Sequence, residues 1–336
     1  MSNTSFDPLK ESIEKFTRIA GNAVKFYPIL SQSTIQLLNY SENATFLVNT
    51  TTGEKYILRV GRPLYHSKTE IESELEWLKL INKHSSIKVS LPIVGENGEY
   101  VQEVEDENIS HFCALFTFLE GDAPNEENEH DLISQFEVLG DITAQLHEYS
   151  ILNRHQLQQM KRIEWDYTSI LGTKPKWGRW QDGLAMTDDR LELFEKVSEK
   201  IKQRLALFGK SQSRYGLIHS DLRLANLLVD GQQIKIIDFD DCGFGWYLYD
   251  LATSLSFIEH KPYIPTLINA WLKGYRKVRS LSQEEELEIP TFILMRRLQL
   301  IAWVGSRHNE TTRELGSAFT EETDELAKKY LEKMEI

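Results

Sequence analysis

Polar residues that could do chemistry flank a predicted β-hairpin within residues 217–250. Two aliphatic segments, 227–229 and 234–237, surround an Asp-Gly pair at 230–231, which is a strong signal for a tight hairpin turn. Because a hairpin returns the chain to the end where it began, the polar residues before the first strand should meet those after the second. These are His219, Asp221 and Asn226 on one side and Asp238, Asp240 and Asp241 on the other. Carboxylate and amide oxygens are ligands that Mg²⁺ prefers, so the cluster indicates a cation site or a reaction centre.

The spacing of these residues narrows the chemistry. A His-x-Asp-x-x-x-x-Asn pattern at 219–226, followed by a hairpin and a second Asp at 238, is the catalytic arrangement of kinases. There the first Asp accepts the proton of the substrate hydroxyl, the Asn holds a metal ion, and the second Asp bridges metal and nucleotide phosphates. The sequence therefore predicts a phosphotransferase that uses ATP and Mg²⁺. Asp221 and Asn226 are the expected catalytic residues, and Asn226 and Asp238 are the expected metal ligands.

Four short motifs together resemble the aminoglycoside phosphotransferase superfamily, which includes aminoglycoside kinases, choline kinases and type II homoserine kinases. They are residues 219–221, Asn226, 237–241 and 249–252. The chain departs from the usual pattern at Ser220, where the family more often has Gly. The resemblance covers most of the chain and implies that Asp250 is a scaffold residue that caps or braces the catalytic loop.

The resemblance also implies a fold class and a division of the chain. The expected class is α+β, with a protein-kinase-like arrangement of a small lobe built on an antiparallel sheet and a mostly helical large lobe. We expect the small lobe at 1–116, a hinge at 117–121, and the large lobe at 122–336 with its catalytic loop at 217–250.

Composition excludes several other classes of protein. The 336 residues are 41% hydrophobic and 26% charged, which is ordinary for a soluble globular protein. The net charge of −13 argues against nucleic-acid or anionic-membrane partners. The chain has no apolar run of membrane-spanning length and no secretory signal, and its two cysteines indicate neither a disulfide framework nor a zinc site. We therefore expect a cytoplasmic protein. The kinase motif and the family resemblance imply that its partners are a nucleotide and a small hydroxyl compound.

The predicted small lobe begins with a helix at about 6–20 and a three-strand meander at 35–38, 45–48 and 55–60. Kinases place a phosphate-covering loop at the first turn of such a meander. Here that turn has no Gly-rich signature, and its candidates for phosphate contact are Ser41 and Asn43.

The third strand of a kinase small lobe carries a phosphate-binding cation that pairs with a Glu on the next helix. Arg59 occupies that place, and choline-kinase-like relatives also have Arg there. Lys55, four residues earlier on the same strand face, is an alternative. On the predicted helix at 69–83, Glu70, Glu72, Glu74 and Glu76 could each be the partner, and the resemblance favours Glu74.

Two more strands are predicted, near 100–101 and at 112–118, and the second ends at Glu120-Gly121. A strand that stops this way resembles the hinge between kinase lobes, where backbone groups bind the adenine edge. The matching groups are the carbonyl of Thr117 as acceptor and the amide of Leu119 as donor.

The predicted large lobe is helical around an irregular insertion at 165–182. His147 is expected to be a packed or capping residue at the C-terminal end of its helix. Trp246, close to Asp240 and Asp241, suggests an aromatic face for a cationic acceptor, such as an amino alcohol, an amino acid or an aminoglycoside-like compound. The predicted helices are 132–149, 188–208, 249–257, 264–276, 284–306 and 321–333.

Three functions fit these motifs: a small-molecule kinase, an atypical protein Ser/Thr kinase of the same superfamily, and a nucleotide-binding pseudoenzyme. The intact set of catalytic carboxylates disfavours the pseudoenzyme. Only residues 240–249 separate the metal-binding Asp238 from the Asp250 helix, and no Ala-Pro-Glu-like anchor is present. This short segment favours a small acceptor over a peptide.

Overall fold

The first of two units spans residues 1–120 and contains a six-stranded antiparallel sheet. In its second strand, residues 44–49, buried and half-buried side chains alternate. The structure is a computed structural model, and it describes residues 8–40, 43–307 and 309–334. The strand order is β1-β2-β3-β6, and β4 and β5 pair with different parts of the second edge of β6. The strands are β1 (Thr34–Tyr40), β2 (Ala44–Asn49), β3 (Lys55–Val60), β4 (Pro92–Ile93), β5 (Val101–Asp106) and β6 (Ile109–Thr117).

Two helices accompany this sheet. Helix α1 (Pro8–Ala23) buries Phe16, Ile19 and Ala20 in one cluster with side chains of the sheet. It continues past the expected end at residue 20, and the first part of the predicted helix lies outside the described residues. Helix α2 (Lys68–His84) begins at a capping box formed by Ser67 and Glu70.

The second unit, residues 121–336, contains two small sheets. The hairpin predicted around Asp230-Gly231 is present as β9 (Leu227–Asp230) and β10 (Gln233–Ile236). The other sheet was not predicted, because its strands have only three or four residues. They are β7 (Ile163–Trp165), β8 (Tyr215–Ile218) and β11 (Gly243–Trp246), in the order β7-β11-β8.

Glycine at the start of β11 is required by close packing. A Cβ atom added to Gly243 would lie 2.5 Å from the carbonyl oxygen of Ile163. The parallel pairing of β11 with β7 therefore depends on this glycine. The pairing connects Trp165, where the predicted insertion begins, to the strand that follows the β9–β10 hairpin.

Helices make up most of this second unit. The predicted helix at 284–306 is two helices, because Pro290 lacks an N–H and lies in the first turn of the second helix, which begins at Ile289. The helices are α3 (Glu129–Leu152), α4 (Arg154–Leu157), α5 (Tyr167–Ile170), α6 (Asp188–Phe208), α7 (Tyr247–Ser254), α8 (Ile264–Tyr275), α9 (Gln283–Leu287), α10 (Ile289–Ser306), α11 (Glu310–Leu315) and α12 (Ala318–Met334).

A sheet-rich first unit and a helix-rich second unit confirm the predicted α+β class. Among the helices that the structure describes, none is both long and apolar enough to span a bilayer.

Candidate active site

The β9–β10 hairpin brings the predicted catalytic and metal-binding residues together within the second unit. Asn226 directly precedes β9, and Asp238 follows two residues after β10. The N–H of Ile237 donates to the carbonyl oxygen of Asn226 across the open end of the hairpin, at 3.0 Å. This bond places the predicted metal-binding segment beside the predicted catalytic loop.

The Asp221 carboxylate is mostly buried and is held from three sides. Its Oδ2 accepts from the side-chain amide of Asn226 at 2.8 Å and lies 3.4 Å from Nε of Arg223. Its Oδ1 accepts from Nη2 of Arg296 at 2.5 Å. Burial alone would raise the pKa of Asp221, but the neighbouring positive charges of Arg296 and Arg223 outweigh it and hold the pKa below its usual value. Asp221 is therefore ionised at neutral pH.

His219 supports the loop through both ring nitrogens. Its Nδ1 accepts from the backbone N–H of Asp221 at 3.2 Å. Nε2 therefore carries the hydrogen and donates to the carbonyl oxygen of Ile237 at 3.2 Å. The ring also packs edge-on against Phe239, with 4.4 Å between the centroids. These contacts make His219 an orienting residue that joins the two halves of the site.

Asp250 braces the catalytic loop, as the resemblance predicts. Its carboxylate accepts from the backbone N–H groups of Ser220 at 2.6 Å and His219 at 3.1 Å. His147 lies 3.0 Å from the same carboxylate and 2.9 Å from the hydroxyl of Tyr275. His147 was correctly expected to be packed, but its helix continues to residue 152, so it does not lie at the helix end. Burial lowers the pKa of His147, although the Asp250 charge opposes the shift.

Two residues of the site have an uncommon backbone conformation. Ser220 has φ of 64° and Asp238 has φ of 61°, both in the left-handed region that favours glycine. Residues in this region cost energy and tend to occur where function requires a fixed geometry. Ser220 directly precedes Asp221, the predicted catalytic residue, and Asp238 is itself a predicted metal ligand.

Side chains from distant segments hold the carbonyl groups that follow Asp238. Arg162 donates to the carbonyl oxygens of Asp240 and Cys242, and the indole N–H of Trp165 donates to Asp241 at 2.7 Å. Sequence reasoning missed both residues, since Trp165 lay at the start of a segment interpreted as an irregular insertion. They fix the course of the backbone after the proposed metal ligand.

The oxygen donors at this place fit the requirements of Mg²⁺, which takes one or two carboxylates and keeps water and phosphate oxygens as its other ligands. Asp238, the predicted carboxylate ligand, is an exposed residue. The amide nitrogen of Asn226 donates to Asp221, so the amide oxygen is the atom that could bind a cation. Within the described ranges there is no group of three or more His, Cys, Asp or Glu side chains suited to a metal ion.

The first unit contains the predicted phosphate-binding pair. Arg59 on β3 and Glu74 on α2 are both buried and form a two-pronged ion pair, with N–O distances of 2.8 and 2.6 Å. Among the four glutamates considered, Glu74 is thus the partner that the resemblance favoured. Lys55 is exposed instead and pairs with Glu120 at 3.2 Å. The role of Arg59 toward a nucleotide stays a prediction.

The remaining predicted nucleotide contacts are placed as follows. The hydroxyl of Thr117, at the end of β6, accepts from the N–H of Leu91 at 2.9 Å, and Leu119 follows in an irregular segment. The side-chain oxygen of Asn43 accepts from the N–H of Arg62 at 3.2 Å. Ser41 lies outside the described residues. The adenine and phosphate roles of these four residues stay predictions.

The interpretation of Trp246 as an acceptor contact is wrong. Its side chain is buried, its indole N–H donates to the carbonyl oxygen of Gly209 at 2.8 Å, and its ring packs against Tyr215 and Phe292. A tryptophan with these contacts is part of the core.

Comparisons with known proteins show which family the chain belongs to. Residues 34–281 match the phosphotransferase enzyme family. The chain is 38% identical to a structurally characterised microcompartment-associated aminopropanol kinase, with a TM-score of 0.85 over 95% of this chain and 98% of that one. It is 25% identical to amicoumacin kinase of Bacillus subtilis (strain 168) over 255 residues, which is 73% of this chain and 72% of that protein.

A third comparison concerns the fold. The structure of an amicoumacin kinase in complex with AMP-PNP, Ca²⁺ and Ami is similar over 94% of this chain and 96% of that one, with a TM-score of 0.74 at 20% identity. The likeness confirms the kinase-like fold that the motifs predicted. The chain belongs to the phosphotransferase enzyme family, within the aminoglycoside phosphotransferase and choline kinase superfamily, and is a kinase that phosphorylates a hydroxyl group of a small molecule.

Proposed function

We propose that this protein transfers the γ-phosphoryl group of ATP to the hydroxyl group of a small amino alcohol. The observation that carries the choice of acceptor is the 38% identity, over nearly the whole chain, with an aminopropanol kinase. The net charge of −13 supports it, because an acidic protein favours the approach of a cationic acceptor over an anionic one.

The proposed mechanism depends on the position of Asp221. Its ionised carboxylate would accept a hydrogen bond from the acceptor hydroxyl and direct the oxygen toward the γ-phosphorus. As the new O–P bond forms, ADP leaves and the hydroxyl proton passes to Asp221. A carboxylate with a lowered pKa is a weak base, so this proton moves late. That order suits phosphoryl transfer, in which positioning and charge stabilisation contribute more than base strength.

The phosphate groups of ATP are negatively charged, and their transfer requires positive charge nearby. Three residues are proposed to provide it, two by holding a metal ion and one by direct contact. Asn226, through its amide oxygen, and Asp238 would hold Mg²⁺. The ion, when bound, would neutralise charge on the phosphate oxygens. Arg59 is proposed to contact the phosphates directly, since it occupies the strand position of the phosphate-binding cation in kinases and a guanidinium can bind an oxyanion bidentately.

The course of the chain after Asp238 favours a small acceptor over a protein. Residues 243–246 form β11 and residue 247 already begins α7. The short segment is also held by Arg162 and Trp165. A protein kinase uses a longer activation segment here as a platform for the peptide.

The test is an acceptor panel with purified protein, ATP and Mg²⁺. Aminopropanol, ethanolamine and choline represent amino alcohols; homoserine, glycerol, an aminoglycoside and a serine-containing peptide represent the alternatives. ADP release is measured together with ³¹P NMR of the product, and Asp221→Asn serves as the inactive control. We expect the highest kcat/KM for an amino alcohol and a loss of about 10²-fold or more in kcat for the variant.

Turnover restricted to neutral alcohols, homoserine or the peptide would disprove the amino-alcohol assignment. A variant that keeps more than about half of the wild-type kcat would remove Asp221 from the mechanism.

A further inference from the structure

Arg296 contacts the reacting carboxylate from a helix that the sequence motifs did not connect to the site. It lies within α10, among apolar residues, and is buried with 1% of its surface exposed. Its Nη2 is 2.5 Å from Oδ1 of Asp221, across 75 residues of sequence.

The guanidinium group is itself held in place by several elements. Its Nε donates to the hydroxyl of Ser256 at 2.9 Å, and Nη1 donates to the side-chain oxygen of Gln299 at 3.2 Å. Its central carbon lies 4.9 Å from the centroid of the Trp177 ring. With all three nitrogens committed and one face against an aromatic ring, Arg296 has no freedom to follow a moving carboxylate. The arginine therefore determines where the carboxylate lies.

These contacts leave Asp221 one preferred orientation. A carboxylate has about four acceptor sites on its two oxygens. Arg296 occupies a site on Oδ1, and Asn226 occupies one on Oδ2. Arg223 also lies 3.4 Å from Oδ2, and the Asp221 side chain keeps 12% of its surface exposed, so a substrate hydroxyl would have to bind at one of the remaining sites, whose directions these contacts fix.

Stability alone is a weak explanation for this pair. Removing two charges from water is costly, and apolar replacements of buried ion pairs are often neutral or stabilising. A buried pair that includes the proposed reacting group is better explained by the geometry it imposes.

We propose that Arg296 is a positioning residue for phosphoryl transfer, which acts by holding the Asp221 carboxylate in the orientation that meets the acceptor hydroxyl. The inference rests on the role proposed above for Asp221. It predicts that Arg296 affects turnover only as long as Asp221 is present.

The adjacent residue provides a matched control. Arg297 is on the same helix and equally buried, and its ion pair with Glu259 is 2.8 Å long. Its other contacts are Thr323, the carbonyl of Phe319, the ring of Phe319 and Glu322. These contacts join α10 to α12, away from the catalytic loop. Arg297→Lys therefore perturbs a buried guanidinium to a similar extent without touching Asp221.

The experiment is a double-mutant cycle on kcat with the best acceptor of the panel. Lysine at 296 keeps the charge but cannot reproduce the three directed hydrogen bonds of the fork. We expect Arg296→Lys to lower kcat by about 10-fold or more, with KM for ATP changed by less than about threefold. In the Asp221→Asn background the same change should alter kcat by less than about threefold. Arg297→Lys should leave kcat within about threefold of the wild type.

Circular dichroism and thermal unfolding will show whether Arg296→Lys folds. Ser256→Ala is the second variant, to be used if it does not. It removes one anchor of the guanidinium and leaves the ion pair intact. We expect kcat to fall by about fivefold, which exceeds the threefold range allowed to the Arg297→Lys control, and we expect no such loss in the Asp221→Asn background.

The proposal is overturned if folded Arg296→Lys keeps a wild-type kcat, or if its effect is equally large with and without Asp221. If that variant does not fold, an unchanged kcat in Ser256→Ala overturns it. A fully active Asp221→Asn enzyme would instead refute the proposed role of Asp221, and the two failures are thereby distinguished.

Discussion

The hydroxyl of Ser220 donates to the carbonyl oxygen of Asp241, while the Ser220 backbone has φ of 64°. This bond connects the loop that carries Asp221 to the segment that follows Asp238. A non-glycine residue in this conformation costs about 1–2 kcal/mol. The hydroxyl bond offsets part of that cost at a position where the superfamily more often has glycine.

Two substitutions at Ser220 should therefore differ in their effect on stability. Ser220→Ala loses the hydrogen bond and keeps the strained backbone, so we expect the free energy of unfolding to fall by about 1–2 kcal/mol. Ser220→Gly loses the same bond but relieves the strain, so its change should be smaller than about 1 kcal/mol. Urea unfolding followed by circular dichroism measures both. Equal stability of the alanine and wild-type proteins would show that the hydroxyl bond contributes nothing.

Arg59 and Lys55 can be separated by their kinetics. Arg59→Ala should raise KM for ATP and lower kcat, because it removes the proposed phosphate contact and leaves the Glu74 carboxylate buried without this partner. Arg59→Lys should restore part of both. Lys55→Ala, which removes an exposed pair with Glu120, should change either constant by less than about threefold. A larger effect at Lys55 would transfer the phosphate-binding role to that residue.

The metal ligands can be tested by calorimetric titration with Mg-ATP. Asp238→Ala and Asn226→Ala should each weaken Mg²⁺-dependent binding by about 10-fold or more, because each removes an oxygen ligand from the proposed site. Asp230→Ala is the control. It removes a carboxylate at the turn of the same hairpin, and that carboxylate pairs with Lys235 at 2.8 Å. The metal assignment fails if the first two variants bind Mg-ATP as tightly as the control.

Trp246→Ala should destabilise the protein without changing its acceptor preference. The substitution removes a buried ring and leaves a cavity, for which losses of about 3–5 kcal/mol are typical. Thermal unfolding should show a lower Tm, and the ranking of acceptors should be unchanged in the fraction that remains folded. A changed ranking with an unchanged Tm would return Trp246 to the acceptor site.

The sequence alone predicted the parts of the site that depend on short-range structure. The Asp230-Gly231 turn and its two aliphatic flanks determine a hairpin locally, and the hairpin places Asn226 next to Ile237, the residue before Asp238. The pairing of Arg59 with Glu74 was also anticipated, because the resemblance to the superfamily favoured Glu74 among the four glutamates of that helix. The β-strands at 163–165 and 243–246 could not be predicted, since three or four residues carry too weak a pattern.

What only the tertiary structure decided is how Asp221, the proposed reacting group, is held. Motif spacing places Asp221 in the chain and predicts its chemistry, but the contacts that orient it come from residues far along the sequence. Arg296, which follows Asp221 by 75 residues, contacts it from α10. Arg162 and Trp165, which come earlier in the sequence, hold the backbone after Asp238. An arginine within an apolar helix indicates from sequence that a buried partner must exist, because an unpaired buried charge is too costly. Which carboxylate becomes that partner depends on how α10 packs against the catalytic loop, and that packing is a long-range property that no local pattern encodes.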